Sequence, residues 1–108
     1  MLFRSVRLCS VVVGELFYGA YRSANPAANS TLVQKFSAPF LSLPFDDQAA
    51  KVYATIRVEL KQRGRAIGPN DTMLAAVAIA NGLTLVTHDT AEFSRVSGLL
   101  MEDWHDHK

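Results

Sequence analysis

Asp71-Thr-Met-Leu-Ala-Ala-Val-Ala-Ile-Ala-Asn81-Gly82 runs directly into Leu83-Thr-Leu-Val-Thr87. The first stretch is apolar on every face at helical spacing. A helix over 71–81 therefore has no side to offer water and belongs at the centre of a core. Pro69, in the turn Gly68-Pro69-Asn70, suits the entry to that helix, because its missing N–H would be unpaired there anyway. Asn81-Gly82 supplies the stop. Leu83 to Thr87 then reads as a short buried strand.

Outward from this pair the chain alternates in the same way. Upstream, Phe40-Leu41-Ser42-Leu43 is strand-like and ends at Pro44. Asp46 caps the longest helix, which runs to about Arg63 with Ala49, Val52, Tyr53, Ile56 and Leu60 along its apolar stripe. Gly64 ends it. Nearer the start, Val6 to Cys9 reads as the tail of a strand. Ser10 is placed to cap a helix over 11–22 that is apolar almost all round, with Gly14 and Gly19 permitting a close neighbour. Asn25-Pro26 turns the chain into a second helix over 27–37. Downstream, a turn or short helix covers 90–95, and Leu99-Leu100-Met101 adds an edge strand before a polar tail. Strands and helices in this order predict one α/β domain over 1–108 with a parallel sheet.

Composition bounds the rest. With 108 residues, net charge +1, 49% hydrophobic and 19% charged residues, the chain is an ordinary small globular domain. One cysteine excludes an intramolecular disulfide framework, and the near-neutral charge excludes a polybasic nucleic-acid binder. Arg4 and Arg7 before Leu8–Val13 make only a poor leader, since Glu15 interrupts the apolar run and no clean cleavage site follows. A cytoplasmic protein with no membrane partner is expected.

Three carboxylates stand out by position. Glu15 is the only charged residue between Leu8 and Tyr21, within a helix expected to be buried; it is either paired there or functional. Asp71 opens the most apolar helix, where it either caps the backbone or serves a site. Asp89 lies just past the strand, at the end of a sheet where α/β folds bind ligands, or else forms an Asx turn or caps the next helix. Carboxylates gathered together repel unless a cation neutralises them, and oxygen-only ligands suit Mg²⁺ or Mn²⁺. Hydrolysis of a phosphodiester is the matching chemistry.

Ser10-Val-Val-Val-Gly-Glu15-Leu-Phe-Tyr-Gly19, Ile67-Gly-Pro-Asn-Asp71-Thr-Met-Leu-Ala-Ala76 and Leu83-Thr-Leu-Val-Thr87-His-Asp89-Thr-Ala-Glu-Phe93-Ser-Arg95-Val-Ser-Gly98-Leu99, closed by Glu102-Asp-Trp104, carry a resemblance. In order and spacing they resemble PIN-domain ribonucleases, specifically the VapC toxins of bacterial toxin–antitoxin pairs. The resemblance implies a PIN-like α/β/α sandwich and a Mg²⁺-dependent endoribonuclease, with Mn²⁺ as the alternative ion. It also implies a VapB-type antitoxin that occupies the site, and a homodimer formed through helices. Glu15 matches the family's glutamate in E-L-x-x-G, Asp71 the aspartate after G-P-N, and Asp89 the acidic position after the late strand. Thr87 matches a threonine that supports the acidic pocket. The family's first strand, ending in an aspartate within Leu-Asp-Thr-Asn, has no match here. The resemblance therefore predicts a domain without its first strand and the helices after it, with weakened Mg²⁺ binding and low or no cleavage. A remnant that binds antitoxin or a sibling subunit without cutting RNA is the competing reading, and a nuclease acting on DNA a third.

Other residues have weaker claims. Lys51, Arg57, Lys61, Arg63 and Arg65 oppose Glu59 alone. They form either a solvated face or a track for an RNA backbone. Arg95 either contacts phosphate, pairs with a carboxylate or caps a helix. His88 could reach a site beside Asp89, His105-Asp106-His107 reads as a polar tail, and Cys9 as a small buried residue.

Overall fold

A computed structural model describes residues 2–3, 7–87 and 89–103. Its centre is α4 (Pro69–Ala80), which buries Thr72, Leu74, Ala75, Ala76, Val77 and Ala78. The alanines let neighbours approach closely, and α3 (Asp47–Gln62) lies against this helix with Ala49, Ile56 and Leu60 buried. Asp46 caps α3 by accepting from Ala49 N at 2.9 Å. Gly64, at φ +65°, takes the left-handed turn that ends it, where a side chain would be strained.

The strands are short. β2 (Leu8–Cys9) and β3 (Ser42–Leu43) form one parallel pair. β4 (Leu85–Thr87), buried throughout, pairs in parallel with β5 (Met101–Asp103), with Leu85 opposite Met101 and Thr87 opposite Asp103. The edge strand expected at 99–101 thus lies two residues later. Between β4 and β5 runs α5 (Thr90–Phe93). Both pairs are parallel, as the alternation predicts.

β1 (Leu2–Phe3) is the exception, since it pairs antiparallel with β4 on the side away from β5. It also touches β2. Only residues 4–7 separate β1 from β2 in the chain. β4 is buried and must pair the backbone groups of its inner edge, and β1 supplies partners for them.

α1 (Ser10–Tyr21) and α2 (Pro26–Ser37) depart from expectation. α1 buries only Val12 and Ala20, and leaves Tyr18 66% and Tyr21 62% exposed. Gly14 and Gly19 face open space rather than a close neighbour. α1 packs on α2 and along one side of α4, and its outer face has no cover among the described residues. α2 buries nothing fully. Ser10 is the first residue of α1 rather than its cap; Cys9 holds the cap position. The Ser10 hydroxyl instead accepts from Phe45 N at 3.2 Å, tying the start of α1 to the loop before α3.

Phe93 is wholly buried and fastens the one-turn α5 to the core. Replacing it by alanine should cost about 3–5 kcal/mol, and Phe93→Leu markedly less. Urea unfolding followed by circular dichroism measures both, and equal losses would mean that α5 is not held by this ring.

Candidate metal centre

The site is built where α4 begins and β4 ends. Gly68, not Asp71, is the N-cap of α4, and it has no side chain to cap with. Asp71 lies in the first turn, half-buried, so the capping role open to it in the sequence falls to the backbone. Asp89 occupies the cap position of α5, yet its side chain makes no capping bond. Its own N–H donates to Thr87 Oγ1 at 3.0 Å. Thr87 is 2% exposed, so this turn is anchored to the buried end of β4.

One turn into α5 stands Glu92, a residue the sequence reading did not single out. Its Oε1 accepts from Gly68 N at 3.2 Å, fastening α5 to the entry of α4. Carboxylate oxygens of Asp71, Asp89 and Glu92 lie within 4.8 Å of one another. The spacing of Asp89 and Glu92, three residues apart across a helix start, was the available signal, because it puts both on one face.

Glu15 is placed differently. It is exposed on α1, not buried as the apolar helix implied, and stands outside the close triad. It lines a cavity of about 320 Å³ with Ser10, Val11, Gly14, Tyr18, Asn70 and Met73. Its charge still reaches Asp71.

Crowding perturbs two of the carboxyls. Burial pushes the Asp71 carboxyl above its usual range; a hydrogen bond with Glu92 opposes this, and the charges of Glu15 and Asp89 add to it. Glu92 is raised chiefly by the hydrogen bond it shares with Asp89, with the Gly68 N–H acting against the rise. A carboxyl that holds its proton between two carboxylates is what such a cluster does without a cation. The donors are all oxygen and close together, which fits Mg²⁺ or Mn²⁺.

The expected cations are largely spoken for elsewhere. Arg95 Nη1 donates to Ala66 O at 3.3 Å, and its Nε is buried without a partner among the described residues. Arg63 Nη2 donates to Arg95 O at 2.7 Å and pairs with Glu59 at 3.1 Å. Both arginines brace the 63–66 turn against the end of α5 instead of facing the acids. Lys61 and Arg65 are exposed. Cys9 is buried, which raises its thiol pKa and suits a packing residue. His88, Trp104 and His105-Asp106-His107 lie outside the described residues.

The raised carboxyls set a sign for pH. Protons that the fold holds above the ordinary carboxyl range stabilise it at acid pH, and that stability is lost as pH rises through the raised values. The metal-free protein should therefore soften from acid towards neutral pH. Mn²⁺ at a hundred times its dissociation constant should restore about 2.7 kcal/mol, roughly 10 °C in melting temperature. Asp71→Asn should raise the metal-free melting temperature at neutral pH and abolish most of the Mn²⁺ shift. Differential scanning fluorimetry reads all of these, and an undiminished Mn²⁺ shift in the variant would remove Asp71 from the centre.

The PIN domain family matches residues 3–99. The chain is 42% identical over 97 residues to the tRNA(fMet)-specific endonuclease VapC of Shigella flexneri, covering 90% of this chain and 74% of that protein. It is 34% identical over 100 residues to Ribonuclease VapC2 of Rickettsia felis, covering 93% and 75%. The fold superposes on the DNA-bound VapBC of Salmonella typhimurium with a TM-score of 0.86 at 40% identity, over 89% of this chain and 73% of that one. VapBC2 of Rickettsia felis, bound to a DNA fragment from its promoter, matches with a TM-score of 0.86 at 35% identity, over 91% and 74%. Sequence and fold agree: the chain belongs to the PIN-domain family, among its VapC members.

Proposed function

We propose that the chain is a divalent-metal-dependent endoribonuclease and the toxin of a toxin–antitoxin pair. The observation that carries this reading is the gathering of Asp71, Asp89 and Glu92 within 4.8 Å, with Glu15 at the rim, on a PIN domain with relatives named ribonucleases. Asp71, Asp89 and Glu92 would hold Mg²⁺ or Mn²⁺, with Glu15 as the fourth carboxylate. A bound ion of this kind offsets charge on a phosphodiester and eases deprotonation of an attacking water.

The chain's own groups set the geometry. The Gly68 N–H holds one oxygen of Glu92 and leaves the other toward its neighbours. Thr87 fixes the turn that presents Asp89. Asp71 is held in the first turn of a helix that cannot shift without exposing the core.

The likeness to VapBC complexes supports a VapB-type antitoxin as the partner, and we read the chain as a homodimer as well. The exposed apolar side chains of α1 and α2, including Leu32 and Phe36, support such contacts. A toxin acting on cellular RNA would work in the cytoplasm; no helix among the described residues is long and apolar enough to cross a membrane.

Incubation with tRNA(fMet), the substrate class named for two relatives, should give slow Mg²⁺-dependent cleavage. Asp71→Asn should slow it by roughly a hundredfold or more, and Glu92→Gln by about ten- to a hundredfold. Cleavage that ignores both Mg²⁺ and Asp71→Asn would overturn the assignment. Antitoxin capture without any cleavage would favour the non-cutting remnant.

A further inference from the structure

A second feature of the surface lies beside the acidic cluster and has no part in holding it. Between the second half of α3 and the segment before α4 is a cavity of about 400 Å³. Leu60, Ala66, Ile67 and Pro69 give it an apolar floor, and Tyr53, Arg57 and Lys61 line the α3 side. The Arg57 guanidinium lies 5.9 Å from the centre of the Tyr53 ring and donates to its hydroxyl at 3.3 Å.

The charge here is unbalanced. Arg57 and Lys61 are four residues apart on one helix face, a spacing that brings like charges together and weakens a helix. No carboxylate among the described residues lines the cavity. Glu59, the only acid between Lys51 and Arg65, is turned to Arg63 and to the Ser97 hydroxyl. Two cations kept adjacent without a counter-charge, over an apolar floor, match a ligand with an anionic part and a flat, weakly polar part. A nucleotide has both.

Position narrows the ligand further. Ile67 and Pro69 line the cavity, and Gly68 between them donates to Glu92 of the acidic cluster. Adjacent Cα atoms are about 3.8 Å apart, so cavity and cluster back onto the same short piece of chain. A strand whose phosphodiester lies at the carboxylates can reach the cavity within a nucleotide or two.

We propose that this cavity is a subsite for a nucleotide of the RNA substrate flanking the cleaved bond, a reading that rests on the ribonuclease function above. Arg57 and Lys61 hold its phosphate, while Leu60, Ile67 and Pro69 receive the base or ribose, with Tyr53 at the wall. Arg63 and Arg95 act in the same region only as braces of the turn. The cavity thereby offsets the repulsion that the acidic cluster exerts on an approaching phosphate backbone.

The test uses the full chain carrying Asp71→Asn, so that RNA is bound but not cut, and a fluorescein-labelled single-stranded RNA read by anisotropy. Adding R57A with K61A should weaken binding about tenfold and reduce the slope of log K against log salt by about 1.4, two single-strand phosphate contacts. R57K with K61R should retain most of the affinity. Lys51→Ala, an exposed cation of α3 outside the cavity, should change little. Unchanged binding on loss of Arg57 and Lys61, or an equal loss with Lys51→Ala, would overturn the subsite while leaving Asp71-dependent cleavage by the unsubstituted chain intact. A shift in elution volume on removing the two cations would also overturn it, marking the cavity as a contact between copies. If the unsubstituted chain cuts no RNA and the Asp71→Asn chain binds none, the ribonuclease function itself fails and the subsite falls with it.

Discussion

Everything in the fold answers to a helix that has no polar face. α4 must be covered on all sides, and α3, β4, α5 and one side of α1 are what cover it. Burial of Leu74, Val77 and three alanines leaves no freedom for this helix to turn or slide, because a densely packed interior tolerates little displacement. Its N-terminus is therefore held at one place, at the end of β4. Asp71 inherits that precision from residues that carry no chemistry of their own.

Against this rigidity works the repulsion among the carboxyls. Asp71 and Glu92 both resist ionisation, and Glu92 relieves the crowding through the hydrogen bond it shares with Asp89. Left to themselves, like charges on exposed side chains would swing apart. Here three restraints oppose that motion: the core behind Asp71, the Gly68 N–H on Glu92, and the Thr87 hydroxyl on the Asp89 turn. Electrostatic cost stored in this way is what a divalent cation can recover on binding, so the same packing that strains the cluster makes it selective for charge.

The cations show the opposite division of labour. Arg63 and Arg95 spend their donors on carbonyls and on Glu59, joining the end of α3 to α5. Arg57 and Lys61, one turn earlier, meet no carboxylate among the described residues in their cavity. One short helix segment thus carries both structural and ligand-facing charge. The sorting depends on where Glu59 and Ser97 happen to lie rather than on residue type.

The α/β order, the bounds of α3, the end of α4 and the positive-φ stop at Gly64 were legible from the chain alone, since periodicity, caps and glycine act over a few residues. Asp71 and Asp89 were legible as candidates by their place at element ends, and Thr87 through the resemblance. Three things were not. Glu92 lay within a resembling stretch, but only its bond to Gly68, 24 residues away, makes it part of the cluster. Glu15 was read as buried because α1 is apolar, whereas exposure depends on what other elements leave uncovered. The antiparallel setting of β1, and the bond from Arg95 to Ala66 O, follow likewise from pairing and packing between distant segments. The sequence by itself determined which segments are helix or strand and which helix must be central, because local sterics and hydrophobic period act along the chain. Tertiary structure alone decided which charges meet and which are paired off, because electrostatic contacts depend on distances in space that no spacing in sequence specifies.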